Sequence, residues 1–549
     1  MIEIIKNRIP TLQQKKIIEY KNNLVVLAKP GSGKTYTIAE KIRGILDESI
    51  SFKGVIAISF TNKASKELKN RVLIGGVDKK GSFFDTMTTF YLMEIIYPFG
   101  VHVFGNNVEE FEVAGNNDDR QLVKEFRKKN KNLDYKQINF DQVMELAELY
   151  KQGIILIESI DAIAVHIFDF SLACRRYIKS RYSHIFIDEY QDCGFMQNQL
   201  FIRLVNLGLV GIAVGDKDQS IYGFAEKSSV YLIELASKSD FKPFYLDKNF
   251  RCHSSISNYS LRLLNGEYEV KENNDIRVIR KRVNGKEANI SNFIDETLPK
   301  LKCKYGLENN NQFAVLVKSN HTGELIAKSL RTKNKFFKKT ELDDDSSLWA
   351  SVFKNLLMNV NSPSASTYEF VEEYYDPLDD ESQFKNLYKL VEKLKNSTYI
   401  KKIEAFIECA SYIYPNAKNK VSISKLEKVL SDDKSVESFT QALVDEIQIM
   451  TVHKSKGLEF PVVFHLNLHK FILPEKCNIN GVWGFKDFDQ CRNLHYVGVT
   501  RAEELCILVT STERTNYSGE VKKGEPSEFF KLNNLVNYSR SWTDYYNEL

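Results

Sequence analysis

The sequence predicts an α/β protein with two parallel-sheet cores, each interrupted by a helical insertion. Three observations point there. First, short apolar runs alternate with helical patterns: Leu24–Ala28, Val55–Phe60, His184–Ile187 and Val210–Val214, with helical periodicity from Lys34 and across Lys63–Val72. Apolar strands separated by helices make a parallel sheet covered on both faces. Second, the alternation returns after Arg277, with strands at Phe313–Val317, Ile447–Met450 and Val462–Phe464 and a helix around Gly323–Leu330. Third, two stretches lose the strand signal and become polar and helical. The expected division is therefore 1–90 with 182–250 as one core, 91–181 as its insertion, 251–340 with 446–549 as the second core, and 341–445 as a smaller, acid-rich insertion. Within the first insertion, Phe126–Asp134 (FRKKNKNLD) reads as an exposed turn.

Length and charge agree with several domains. A chain of 549 residues is too long for one hydrophobic core. Net charge is only +4, from 76 basic and 72 acidic residues, which allows a basic groove on a mixed surface rather than a uniformly basic coat. The eight cysteines are scattered without a CxxC pair, which argues against a zinc or iron–sulfur site and for a reducing, cytoplasmic setting. The N-terminus lacks a signal-peptide pattern, and no apolar run approaches the roughly 20 residues that span a bilayer. No membrane partner is expected.

The first chemical motif is Ala28-Lys29-Pro30-Gly31-Ser32-Gly33-Lys34-Thr35, followed by Tyr36, between a strand and a helix. Gly31 and Gly33 let backbone amides wrap phosphate oxygens. Lys34 would reach the β- and γ-phosphates of ATP, and the Thr35 hydroxyl would ligate Mg²⁺. The helix that follows turns its positive end to the anion. Ala28 stands where the strict pattern has glycine. The second motif is Ile185-Phe186-Ile187-Asp188-Glu189, with Gln191 and Asp192 close behind. Asp-Glu alone is ordinary surface chemistry. At the end of an apolar strand downstream of a phosphate loop, Asp188 suits the hold on Mg²⁺ and Glu189 suits the base that orients attacking water.

Further motifs follow in order. Thr11-Leu12-Gln13-Gln14, Ser59-Phe60-Thr61-Asn62-Lys63-Ala64, Thr86–Phe90, Val214–Phe224, Leu246–Arg251, Thr451–Phe460 and Tyr496–Ala502 resemble, in sequence, those of superfamily 1A DNA helicases of the UvrD/Rep/PcrA type. The resemblance covers both cores and implies that they are RecA-like, 1A and 2A, with the insertions as 1B and a reduced 2B. It implies that Gln14 reads the adenine edge, Phe250 stacks on adenine and Glu459 holds the ribose. Core packing is the competing reading of Phe250. Gln219 would sense the γ-phosphate, and Arg251 and Arg501 would neutralise it from the second core. Phe60, Tyr222 and Phe224 match the family's base-stacking positions, and Asn62, Thr86, Thr89, Thr451 and His453 its polar contacts. His453 is equally readable as a structural hydrogen-bonder.

What the resemblance implies about function is an ATP-dependent 3′→5′ helicase or translocase on single-stranded DNA and single/double-strand junctions, with ATP and Mg²⁺. Departures weaken parts of this. Ala225-Glu226-Lys227 replaces a cationic DNA contact, Met87 and Thr88 replace aromatic and histidine positions, and Tyr36 replaces a nucleotide-contacting arginine. The short insertions make strand separation the weakest expectation. Compact UvrD-like proteins also occur beside nucleases in bacterial anti-phage systems, Gabija-type ones among them. A second reading is therefore an ATPase subunit that senses DNA ends and controls a partner nuclease. A third, a P-loop nucleotidase without nucleic acid, is opposed by the stacking aromatics.

Overall fold

The computed structural model describes residues 9–49, 52–105, 108, 111–115, 118, 120–131, 133–136, 138, 140–219, 229–270, 273–343, 345, 347–362, 365–375, 377, 380–397, 399–479 and 482–548. Two all-parallel sheets organise it. The first has six strands in the order Phe83–Asp85, Gly54–Ile58, Tyr182–Ile187, Val210–Gly215, Leu24–Ala28, Lys242–Leu246. The second has seven: Asn334–Phe337, Ile447–Thr451, Phe313–Val317, Phe460–His465, Ala502–Ser511, Val278–Val283, Arg540–Ser541.

The central strands Gly54–Ile58 and Phe313–Val317 are apolar and buried along their whole length because both of their faces are covered. In the first sheet, Leu24, Val26, Val55 and Ala57 pack under the helices Lys34–Glu48 and Asn62–Leu73. Alternate residues Val25, Ile56, Ile58 and Ile187 face the other side. In the second sheet, Ala314, Leu316 and Val463 pack with helices Ser254–Leu264 and Phe488–Val499. Val315, Ile449 and Ile507 pack on the opposite side with helices Glu287–Tyr305 and Asn320–Ser329. The strand Leu24–Ala28 lies between Val210–Gly215 and the edge strand Lys242–Leu246. The chain leaves Leu24–Ala28 toward Gly54–Ile58 on one side and leaves its neighbour Val210–Gly215 toward Lys242–Leu246 on the other, so the connections diverge between these two strands and open a crevice at their carboxyl ends.

The insertions depart from the expected picture in two ways. They share one hydrophobic core with the inner face of the first sheet, which no local pattern foretells: Ile95, Phe111 and Ile163 from the first belong with Trp349, Phe353 and Phe406 from the second. Backbone-level contacts join them, with Phe111 N–H donating to Asn416 O at 3.2 Å and Asn419 Nδ2 donating to Val113 O at 2.6 Å. Second, Phe126–Asp134 is not wholly a turn. Helix Gln121–Lys129 runs through its first half because Val123 and Phe126, three residues apart, are both buried. The first insertion also holds a two-stranded parallel ladder, Glu112–Ala114 with Ile154–Leu156. No helix among the described residues is long and apolar enough to cross a membrane.

Candidate functional site

Ala28 ends its strand in the crevice, and the loop that follows is held on three sides. Gly31 (φ 66°) and Gly33 (φ 80°) both have left-handed backbone. A Cβ on Gly31 would lie 2.5 Å from Asn249 Oδ1 and 2.6 Å from Arg251 Cβ, so only glycine fits there. Phe250 N–H donates to Gly31 O at 2.8 Å. Buried Gln14 accepts from Thr11 N–H at 3.0 Å and donates to Ser32 O at 3.2 Å, supporting the loop from behind. Lys29 pairs with Asp218 at 2.6 Å. Pro30 and Tyr36 are buried, and Thr35 is half-buried at the start of helix Lys34–Glu48.

Lys34 Nζ meets Glu189 Oε1 at 3.2 Å. Asp188 follows the strand Tyr182–Ile187, its N–H bonded to Ile58 O at 2.9 Å. Glu189 takes φ 57°, an unfavourable conformation for a side chain of its size, and its N–H donates to Asp188 Oδ1 at 2.9 Å. Gln191 is fully buried and bridges two motifs. Its Nε2 donates to Glu189 Oε2, and its Oε1 accepts from Asp216 N–H at 3.0 Å. Gly215 makes room for it, since a Cβ there would lie 2.4 Å from Gln191 Oε1.

Three carboxylates and a lysine thus share one buried space. Burial, and then Glu189, push Asp188 up to about 6. Burial likewise carries Asp216 up to about 6, against the pull of Lys34 and Lys29. Burial opposes ionisation of Glu189 too, yet Lys34 and Lys456 outweigh it and hold that carboxyl below its usual range. The same carboxylates outweigh the burial of Lys34 and keep it charged. An excess of buried anions, Thr35 at the helix start and a buried Ser32 Oγ with no partner among the described residues fit a phosphate with its divalent cation.

The facing wall belongs to the second core. Arg251 pairs with Glu459 at 2.5 Å. Arg501 is buried, its guanidinium donating to Val497 O and Leu458 O, both at 3.1 Å, and to Thr500 Oγ1 at 3.3 Å. Burial, then the charge of Arg251, bring Arg501 down to about 10, while Glu189 acts in the opposite direction. Among the described residues, polar side-chain contacts also bridge the two walls. Lys456 forms an ion pair with fully buried Asp192, and Tyr496 OH donates to Asp216 Oδ2 at 3.3 Å. Phe250 is 40 % exposed, with Lys248 Nζ 5.0 Å from its ring centre, so it is not a core residue.

On the candidate strand track, Phe60 is half-buried and Thr86 caps the helix Met87–Phe90, accepting from Thr89 N–H at 3.3 Å. Thr89 and Thr451 are buried and turned into their own loops: Thr89 donates to Asp85 at 3.0 Å, and Thr451 accepts from Lys454 N–H at 3.3 Å. Their contribution as placed is the shape of those turns. Burial, Lys318 and Lys339 depress His453 to about 4, so it is neutral at pH 7. Asn62 opens helix Asn62–Leu73 and Gln219 closes the turn Lys217–Gln219. The side chains of both, and Tyr222, Phe224 and Ala225-Glu226-Lys227 altogether, lie outside the described residues. Sequence reasoning left Gln191, Asp192, Asp216, Lys456 and Tyr496 without roles. All five lie inside or beside the motifs, but their pairing crosses between motifs and only the fold reveals it.

Comparison with known proteins bears on this geometry. Residues 10–169 and 157–240 match the UvrD/REP helicase N-terminal domain, and 346–513 match the UvrD-like helicase C-terminal domain. The chain is 28 % identical over 527 residues to the Gabija protein GajB of Bacillus cereus (strain VD045), covering 92 % of this chain and 96 % of that protein. It is 24 % identical over 641 residues to the ATP-dependent DNA helicase PcrA of Staphylococcus aureus (strain MRSA252), covering 96 % and 86 %. Both domain models fall on the two walls of the cleft, and the chain belongs to the UvrD-like helicase family of ATP-dependent DNA helicases.

Proposed function

We infer that this chain hydrolyses ATP in the cleft between its two cores and moves 3′→5′ along single-stranded DNA. The observation that carries the reading is the part-buried Lys34–Glu189 pair on one core, faced by Arg251 and Arg501 on the other. Residues 1–90 and 182–250 act as the nucleotide-binding core 1A, 251–340 and 446–549 as its partner 2A, and the insertions as 1B and a reduced 2B.

Lys34 and the amides of residues 29–35 hold the phosphates. Thr35 and Asp188 would hold Mg²⁺, which would supply neutralisation of the phosphate charge. Glu189, kept anionic by Lys34 and Lys456, orients the attacking water and accepts its proton. Gln14 and Phe250 hold the base, and Glu459 the ribose. Glu459 cannot hold Arg251 and ribose in full at once, so nucleotide entry frees Arg251 toward the γ-phosphate. Arg501 completes the charge balance when the cores close. Gln191 links Glu189 to Asp216, the start of the segment that carries Gln219, Tyr222 and Phe224, and so connects hydrolysis to the strand track. Alternating closure and grip on stacked bases moves the strand.

A second reading is supported by the match to the Gabija protein over 92 % of this chain and 96 % of that protein, and by insertions merged into one core. In it, the ATPase senses DNA ends and governs a partner nuclease, with little unwinding. The deciding experiment is steady-state hydrolysis with and without single-stranded DNA. Lys34→Ala should abolish turnover, and Glu189→Gln should bind ATP but lose about 10² to 10⁴ in rate. Strong stimulation by DNA, with unwinding of a 3′-tailed but not a 5′-tailed duplex, supports the motor. Hydrolysis that ignores DNA until a copurifying nuclease is added supports the second reading.

A further inference from the structure

The second core carries an antiparallel hairpin, Glu475–Ile479 against Val482–Lys486, that the function above does not use. Its register sets Lys476 opposite Phe485 and Asn478 opposite Trp483, so these four share one face. The base is anchored twice. Phe485 lies 5.5 Å from the Phe471 ring and 5.8 Å from Phe488, which in turn meets Phe529 at 5.2 Å. On the opposite face, Glu475 pairs with Lys318 at 2.7 Å, and both lie within electrostatic reach of His453.

Toward the tip the character changes. Trp483 is 56 % exposed, whereas the chain's other two tryptophans, Trp349 and Trp542, are buried. Lys476 Nζ sits 3.4 Å from its ring centre. A packing role does not account for a ring this exposed at the end of a hairpin whose other aromatic, Phe485, supplies the anchor. An open indole face with an ammonium beside it offers one group for a base and one for a phosphate. Lys318 and Lys470 nearby are paired with Glu475 and Glu528, so the charge that favours a polyanion at the ring is Lys476 itself.

We propose that Trp483 and Lys476 form a stacking platform for single-stranded nucleic acid that extends the second core's track past His453. One base stacks on Trp483, and Lys476 leaves the ring to pair with the adjoining phosphate. The proposal rests on strand binding as inferred above, and the test separates the two.

Because Trp483 is the exposed tryptophan of the three, intrinsic fluorescence reports on it directly. Titration of the full chain with unlabelled oligo-dT is expected to quench the wild-type emission. Trp483→Phe should lose that quenching yet keep affinity within a few-fold, since a phenyl ring still stacks. Trp483→Ala should weaken binding about 5- to 150-fold. Lys476→Ala should lower the slope of log affinity against log salt by about 0.7, one phosphate contact on a single strand. If wild-type protein binds DNA and is stimulated by it but Trp483→Ala binds equally well, the platform is overturned and the motor stands; the patch then belongs to a protein partner. If wild-type protein binds no single strand, both fall together.

Discussion

The two walls of the cleft are built differently. On the first core the reactive groups are already engaged with one another: Lys34 with Glu189, Gln191 with Glu189 and Asp216, Lys29 with Asp218. On the second core the two arginines are occupied within their own wall, Arg251 by Glu459 and Arg501 by three oxygens of Val497, Leu458 and Thr500. The first wall is set to bind; the second must be redirected before it can neutralise developing charge. Hydrolysis then waits on a change at the interface, which is what a motor needs if each ATP is to count as one step.

The largest effect that sharpens this contrast comes from the second wall. Arg501→Ala should lower kcat by about 10³ to 10⁵ while nucleotide affinity stays within a few-fold, because phosphate binding belongs to the other wall. Single-turnover hydrolysis beside equilibrium binding of a nucleotide analogue measures both. A parallel fall in affinity would break the division of labour. Loss of a cooperative melting transition would instead mark Arg501 as a structural arginine, consistent with its burial.

A middling effect should come from the link inside the first wall. Gln191→Ala removes a buried partner from Glu189 and from Asp216 N–H, and such losses run to about 1–3 kcal/mol. With Glu189 left less constrained, kcat should fall about tenfold and the KM for ATP should hold. Stimulation by single-stranded DNA should shrink further than basal turnover, since the bridge connects the catalytic carboxylate to the segment before Tyr222. Equal loss with and without DNA would make Gln191 a positioning residue for Glu189 alone.

These cross-motif links are what the sequence conceals. The phosphate loop and the Asp188–Glu189 strand end are legible because strand, turn and chemistry lie within a few consecutive residues, and the strand Leu24–Ala28 falls where the apolar run predicts it. Edge strands are harder. Lys242–Leu246 carries Pro243 and a lysine, and Phe83–Asp85 spans three residues, too little to show periodicity. Phe126 was hidden among lysines, so a helix end looked like a solvated turn. The merging of the two insertions depends on which surfaces meet, and residues about 300 apart, such as Val113 and Asn419, give no local signal.

The last effect, on stability rather than on rate, tests the crowding of the first wall and has a definite sign. Asp216 is raised from an unfolded value near 4 to about 6, chiefly by burial. Between those values the folded protein holds a proton that the unfolded chain has released, so stability falls as pH rises from about 4 to about 6 and stays lower above it. The cost at pH 8 is on the order of 2–3 kcal/mol for a two-unit shift. Asp216→Asn removes the charge, keeps an oxygen for Asp218 N–H and turns an NH2 toward Tyr496, whose hydroxyl can accept from it. Its melting temperature should therefore exceed wild type at pH 8 and match it at pH 4.5. A variant less stable at pH 8 would mean that Lys34 and Lys29 need the third carboxylate more than its burial disfavours it. The first wall would then be a balanced ion network rather than an overcharged one prepared for a cation.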